Sequence, residues 1–534
     1  MADRLTRFVK NLENARAAFP AWLITFFCTV FLRNFIEAFS DRDNFWTVVS
    51  SPAYFIHFPM FYLCIFLALA ILLHWLTGEK ITRISKIMLL FFPLILLAPI
   101  LDLFLSRGQG YNMSYLLGDM RYLIHQFITF SGGYSGRGAS PGLRIELIVV
   151  LVLVGYYLYL KTGKFLRAAI GVITSYVLIF VFGSLPSIIS VFWNLKGSVT
   201  GPEELFSGGV VMHHFYSFDH KMAMVLYPIL LIELGLWHWS YDRQKFLALV
   251  KNFRGLRVFH YLCMLGGGLF LGYAVTGFAP LFHSPFSFLI ITASLCSVAL
   301  AWWFAAGVND LNDLEADRIS NPSRPLVSGI INADEYRALI LVSLLLSLLA
   351  AHLVRYPFFV TILLTTAFSY LYSAPPFRIK KAPFLATFVL ALSSVLICLA
   401  GFVLFSDDYS FCGFPPRVLL TILVAYTLAF TIKDIKDLKG DRLTGTVTLP
   451  TLLGEEKGKR ITGILVVLAY LNVPLLLKLL RLAPFAMLLG IPNYYLIKRK
   501  RFRETPVFVL YFLFLGVTLY YVYFQLQDGI DPPF

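Results

Sequence analysis

Apolar runs of about 20 residues recur along the whole chain, and no other feature constrains its fold as strongly. A helix of that length crosses the ~30 Å hydrocarbon core of a bilayer. Lipid offers no hydrogen-bond partners, so only helices or closed barrels satisfy their backbone groups there. Barrel strands would read as ten-residue alternations of polar and apolar residues, and these runs do not alternate. We read about fifteen candidate spans, at 19–39, 53–77, 87–106, 144–160, 168–193, 222–240, 258–280, 286–308, 338–354, 357–374, 384–405, 416–432, 461–477, 482–497 and 506–525. The expected fold class is an all-α polytopic membrane protein. Of the 534 residues, 58% are hydrophobic and 14% charged, against roughly 45–50% and about 25% in soluble domains. That excludes a soluble enzyme, a disordered regulator and a disulfide-stapled secreted domain. The six cysteines form no CxxC pair, so neither a zinc site nor a disulfide framework is indicated.

The net charge of +15 has a topological origin. Threading the spans alternately from an inside amino terminus puts most of the 45 Lys and Arg on the inner side, as the positive-inside bias requires. The amino terminus is then cytoplasmic and the carboxyl terminus lies outside. A nucleic-acid surface would need the basic residues clustered on one folded face, and no such clustering is needed here. Arg4, Arg7, Lys10 and Arg16 precede a first run too long for a signal peptide and lacking a small-residue cleavage site, which reads as a retained helix.

Loop lengths divide the chain. Spans one to six leave two long outer segments, about 107–143 and 194–221, the first containing the Gly/Ser-rich stretch from Ser131 to Gly138. Beyond the basic segment from Tyr241 to Arg257 the outer loops are short and the long hydrophilic segments lie inside. The expected domains are 1–250, with about six helices, and 251–534, with nine.

The second half carries an internal repeat. Asp310-x-x-Asp313-x-x-x-Asp317 follows the eighth span and Asp434-x-x-Asp437-x-x-x-Asp441 follows the twelfth. Both lie at the inner ends of inward-running helices, hence on the same membrane side. On a continuous helix the i, i+3, i+7 spacing puts three carboxylates on one face, where like charges repel. Asp is also common in turns and caps, so one such motif would mean little. Two identical spacings at matching depth point instead to a pair of hard-cation sites. Mg2+ takes oxygen ligands, uses one or two carboxylates and completes its shell with water and substrate phosphate. Arg318 and Arg324 follow the first motif, and arginine grips phosphate oxygens in bidentate fashion. Arg378 and Lys380 follow Tyr372-Ser373-Ala374-Pro375-Pro376, again inside; an ordinary positive-inside flank would also account for them.

Asn309-Asp310-x-x-Asp313-x-x-x-Asp317, Arg324-Pro325, Tyr372-Ser373-Ala374-Pro375-Pro376 and Asp434-x-x-Asp437-x-x-Gly440-Asp441 together resemble the UbiA superfamily of intramembrane prenyltransferases. Leu449-Pro450-Thr451-Leu452-Leu453-Gly454 resembles the stretch after that family's second motif. The resemblance covers about 255–534, and it implies a nine-helix bundle with a central cavity capped on the cytoplasmic side. A prenyl diphosphate would bind there with Mg2+ and pass its prenyl group to an aromatic or lipid-like acceptor. It further implies Asp310, Asp313, Asp317, Asp434, Asp437 and Asp441 as Mg2+ ligands and Asn309 as the residue orienting metal or diphosphate. Arg318 and Arg324 would clamp phosphate, Tyr372 would lie near the reacting carbon, and Ser373 with Arg378 or Lys380 would complete substrate binding. Residues around Asn321–Gly329 look most like the chlorophyll synthase and digeranylgeranylglyceryl phosphate synthase branch.

Residues 1–250 resemble no family. Asp41-Arg42-Asp43 in the first outer loop, where an acidic pair could serve lipid-phosphate glycosyl transfer, and His213-His214 with Asp219 and His220 in the last outer segment, which could ligate a metal, are their chemically suggestive groups; ordinary loop and interfacial polarity explains both better. Three readings stand: a prenyltransferase whose extra helices dock a partner or handle the product, a bifunctional enzyme with lipid-linked glycosyl or phosphoryl transfer in the first half, and a prenyl-lipid transporter. A transporter would carry ionisable residues at mid-membrane. Spans seven to fifteen hold almost none, which favours the enzyme.

Overall fold

The computed structural model describes residues 11–14, 18–39, 53–111, 115–132, 139–194, 201–207, 210–211, 214–276, 284–405 and 411–527. Asp41, Arg42, Asp43 and His213 lie outside them. The described residues are overwhelmingly helical, and the sole strand pairing among them joins Val210–Val211 to His214–Phe215. Fourteen described helices are long and apolar enough to cross a membrane. Their outward faces carry large apolar side chains, such as Ile173, Val152 and Leu488, that are mostly exposed. A soluble protein would scatter such residues singly; here they cover helix after helix. The protein is an integral, multi-pass membrane protein.

Contacts divide the chain into two compact units, Met1–Phe246 and Leu247–Phe534. The first contains six of the spanning helices: α1 (Phe19–Ala38), α2 (Phe58–Thr77), α3 (Ile81–Leu105), α4 (Pro141–Thr162), α5 (Phe165–Gly183) and α6 (Phe218–Tyr241). Within α3 the backbone tightens to a 3-10 helix over Phe92–Leu96, where Pro93 removes a donor. α2 lies at the centre, packed on α5 and α6, while α4 packs on α3 and α5. One core layer groups Ala70, Leu73, Ile84, Ile87, Val154, Tyr157, Leu158 and Ala168. A second is aromatic, with Phe26 stacked on Phe92 at 4.5 Å between centroids. Arg33 and Glu37, one turn apart on α1, form a buried ion pair at 2.5 Å.

The second unit holds nine long helices among the described residues: α7 (Gly255–Thr276), α8 (Pro285–Asn312), α9 (Ala333–Val354), α10 (Tyr356–Ser373), α11 (Leu385–Val403), α12 (Pro416–Ala429), α13 (Glu455–Leu476), α14 (Ala483–Lys498) and α15 (Glu504–Gln527). All but α10 contribute to the fourteen apolar spans. That helix falls short in hydropathy because Thr361, Thr365, Thr366, Ser369 and Ser373 interrupt its 18 residues. Thr361 and Thr365 hydrogen-bond backbone carbonyls one turn back, at 2.7 and 2.8 Å, so their hydroxyls are satisfied within the helix.

α7 and α11 approach backbone to backbone. A Cβ on Gly268 would sit 1.9 Å from the Cys398 carbonyl oxygen, and one on Gly401 would sit 2.1 Å from that of Leu265. Small residues at such crossings are how helices pack closely where lipid supplies no hydrophobic drive. This tight pair forms one wall of the unit's interior, and Ser394 on α11 accordingly lies within hydrogen-bonding reach of His260 on α7, at 3.1 Å.

Candidate active site

The two acidic motifs have identical spacing but unlike local structure. α8 ends at Asn312, and the chain turns at Asp313 before a short helix, Leu314–Ser320. The second motif lies on one unbroken helix, Lys433–Thr444, which continues from α12 through a 3-10 turn at Phe430–Ile432. The two short helices pack together. Gly440 permits it, since a Cβ there would meet Ser320 Oγ at 2.7 Å and the Ala316 carbonyl oxygen at 3.1 Å.

Between the motifs lies a cavity of about 300 Å³. Its polar end is lined by Asn309, Asp313, Tyr372, Ser373, Lys380, Lys433, Asp434, Asp437, Asp441, Arg254 and Arg257. Its apolar end is formed by side chains such as Val298, Ile397, Val466 and Phe508. There His260 lies 2.9 Å from the Tyr511 hydroxyl, which lies 2.8 Å from that of Tyr426.

The break at Asp313 decides which acids reach the cavity. All three of the second motif do; of the first, only Asp313 does. Asp310 is buried, accepting hydrogen bonds from Arg254 (2.6 Å), Arg324 (3.0 Å), Tyr336 Oη (3.1 Å) and Asn252 (3.3 Å). Asp317 accepts from Arg324 and from Asn321 Nδ2 at 3.0 Å. Arg324 thus links the acids on either side of the break, and burial lowers its pKa despite the adjacent Asp310. Arg318, expected to grip phosphate, is exposed, and neither it nor Arg324 lines the cavity. The reason is geometric: i, i+3, i+7 share a face only while the helix continues, and here it stops at the middle acid.

Asp313 is gripped by Arg378 at 3.3 Å and by Lys380. Lys380 also donates to Asn309 Oδ1 at 3.3 Å, an oxygen that accepts from Ser373 Oγ at the same distance. Burial lowers the Lys380 pKa, with Asp313 opposing the shift. Arg378 donates to the Asn312 carbonyl oxygen at 2.6 Å, tying the loop after α10 to the end of α8. Lys433 donates to the Tyr372 hydroxyl, and its Nζ lies 4.7 Å from that ring's centroid. Burial raises the Asp441 carboxyl to about 7, with repulsion from Asp437 and Asp434 adding to the shift. Asp437 has no hydrogen bond or ion pair among the described residues.

Lys433, Arg254 and Arg257 were not singled out by the sequence. Lys433 directly precedes the second motif, which is the one available signal. Arg254 and Arg257 look like an ordinary inner flank. No group of three His, Cys, Asp or Glu side chains is already gathered for a metal among the described residues. The oxygen donors at the polar end are nevertheless those a hard cation takes, and the mutual repulsion among the second motif's carboxylates is what a bound cation would relieve.

A cavity with acids and bases at one end and apolar walls at the other has the chemistry to hold an amphiphile. Residues 267–516 match the model of the UbiA prenyltransferase family. The chain is 31% identical over 195 residues to digeranylgeranylglyceryl phosphate synthase of Saccharolobus solfataricus, a match covering 35% of this chain and 66% of that protein. It is 27% identical to homogentisate phytyltransferase of Synechocystis sp., covering 35% and 63%. It is 33% identical to chlorophyll synthase of Arabidopsis thaliana, covering 28% and 42%. The matched stretches thus span two thirds or less of these relatives. A UbiA homolog from Archaeoglobus fulgidus, solved with GPP and Mg2+, aligns at 20% identity over 52% of this chain and 99% of its own, with a TM-score of 0.41.

Proposed function

We propose that the second unit transfers a prenyl group from a prenyl diphosphate to a membrane-soluble acceptor, in a Mg2+-dependent reaction at the cytoplasmic end of the bundle. The observation that carries this is Asp313 facing Asp434, Asp437 and Asp441 across a cavity whose other end is apolar. The acids and Asn309 hold the cation, and the apolar end takes the isoprenoid. When bound, Mg2+ neutralises the departing diphosphate. Arg254, Arg257 and Lys380 provide further positive charge at that end. Lys433 and Tyr372 position the reacting carbon, the ring's π face suiting a carbon that becomes cationic as its bond to oxygen breaks. The apolar walls keep water from that carbon, which would otherwise be hydrolysed. The related synthases acting on lipid and aromatic acceptors support either class of acceptor here.

The test is incorporation of radiolabelled geranylgeranyl diphosphate into lipid-extractable product by membranes containing the protein. Label should move only with the protein and Mg2+ both present. No transfer from donors of any chain length, with native acceptors supplied, would refute the reading.

Lys433→Met keeps the stem and removes the charge. It should lower kcat at least ~10-fold, as expected on losing one positioned group, with a smaller change in KM. Unchanged kcat in initial-rate assays would remove Lys433 from the chemistry.

A further inference from the structure

The first unit holds a larger cavity than the second, about 670 Å³, within the ordinary range for a ligand site. On α2 its lining runs from His57, just before the helix, to Leu73. Sixteen residues of helix make that depth about 24 Å, most of the ~30 Å thickness of the hydrocarbon core. The walls between are aliphatic and aromatic, including Phe61, Phe66, Leu69, Ile87, Val150 and Val154.

Polar groups gather at one end. His57 is buried, with Nδ1 2.9 Å from Asp219 Oδ1 and Nε2 2.5 Å from the Tyr115 hydroxyl. With Nδ1–H donating to the carboxylate, Nε2 accepts the tyrosine proton, so the imidazole is fully used. Asp219 is about one-third exposed, at 35%, and its second oxygen has no hydrogen-bond partner among the described residues. Glu146, at the start of α4, also lines this end. No Lys or Arg lines the cavity among the described residues. The end therefore offers hydrogen-bond acceptors, with the Asp219 carboxylate among them, and no lining cation to grip a phosphate.

We infer that the first unit is a binding site for a long-chain isoprenoid alcohol, its hydroxyl donating to Asp219 and its chain lying along α2. An ordinary acyl chain fills one leaflet, about half the hydrocarbon core, whereas this cavity runs deeper. The site is distinct from the one between the aspartate motifs, where bases accompany the acids and an anionic donor is accommodated. Of the four groups weighed in the last outer segment of the sequence, the structure gives this role to Asp219; its histidine partner, His57, comes from a different part of the chain.

The experiment uses the full chain in lipid nanodiscs and a diazirine-bearing geranylgeraniol, with crosslinked peptides mapped by mass spectrometry. Label is expected on peptides of α2, α3 and α4. Unlabelled geranylgeraniol should displace it from those peptides at concentrations at least ~10-fold lower than geranylgeranyl diphosphate requires. Val150→Trp, which fills the cavity, should remove the label. Asp219→Asn should weaken competition by unlabelled geranylgeraniol about 10-fold, the size expected for a hydrogen bond to a charged group. Label absent from these helices, displaced equally by the diphosphate, matched by a diazirine-bearing phosphatidylcholine, or unchanged in Asp219→Asn would each overturn the assignment. The last of these needs no cavity-filling variant to fold.

Discussion

Asp313→Ala and Asp437→Ala are each expected to abolish prenyl transfer, by ~10²–10³-fold or more, while the protein remains inserted and monodisperse. Removing one preorganised electrostatic group from a transition state costs about that much in other enzymes, and on the proposed reading each variant also loses a carboxylate from the cation site. Asp437 has no hydrogen bond or ion pair among the described residues, so its loss strands no cation among them. Asp313 holds Lys380 and Arg378, both of which keep other contacts through Asn309 and the Asn312 carbonyl. Asp310→Ala provides the contrast. It strands Arg254 and the Tyr336 hydroxyl around a vacated buried position and leaves Arg324 with Asp317 alone, and breaking a buried pair from one side costs about 3–5 kcal/mol. That variant should lose thermal stability as well as activity. Thermal melts beside single-turnover transfer assays separate the two outcomes; near-normal turnover in both Asp313→Ala and Asp437→Ala would end the metal-site argument.

Gly401→Val is expected to leave little folded protein. Its Cβ alone would lie 2.1 Å from the Leu265 carbonyl oxygen, and backbone cannot move aside as a flexible side chain can. Overpacking a core with extra methylenes costs about 1–3 kcal/mol where side chains can adjust; here α7 and α11 would have to separate along the crossing. Gly266→Ala is the control, because a Cβ at Gly266 meets nothing within 4 Å. Size-exclusion profiles in detergent should show Gly401→Val aggregated or absent and Gly266→Ala unchanged. A monodisperse, active Gly401→Val protein would mean that the close crossing is dispensable.

Much of this was legible in the sequence, for stated reasons. A run of 20 apolar residues admits few structures in lipid, so the helices and their approximate limits could be read directly. The weakest span to emerge is α10, where threonines and serines that bond their own backbone dilute the hydropathy. Asp313 and the acids of the second motif, read from spacing, and Asn309, Tyr372, Ser373 and Lys380, to which the family resemblance gave roles, all line one cavity. Asp310, Asp317 and Arg324 do not, because spacing alone does not reveal that α8 stops at Asn312. The pairing of His57 with Asp219 was out of reach as well, since 162 residues separate them and no local pattern links the two.

The break at Asp313 also makes the two halves of the site unequal. A straight helix presents Asp434, Asp437 and Asp441 to the cavity; a bent one presents Asp313 and the amide of Asn309. Cations on the two sides would meet different numbers of anionic ligands, and hence bind with different strengths. Loading should therefore be sequential, with the second-motif side filling first and the first-motif side depending more on the donor's own oxygens. Initial rates plotted against free Mg2+ should rise in two steps, the upper one shifting to lower Mg2+ as donor concentration increases. A single hyperbola insensitive to donor would mean that the inequality in ligands has no functional counterpart. A duplicated motif need not make a symmetric site: one copy presents three carboxylates to the cavity, and the other turns two of its carboxylates inward to hold its own bend.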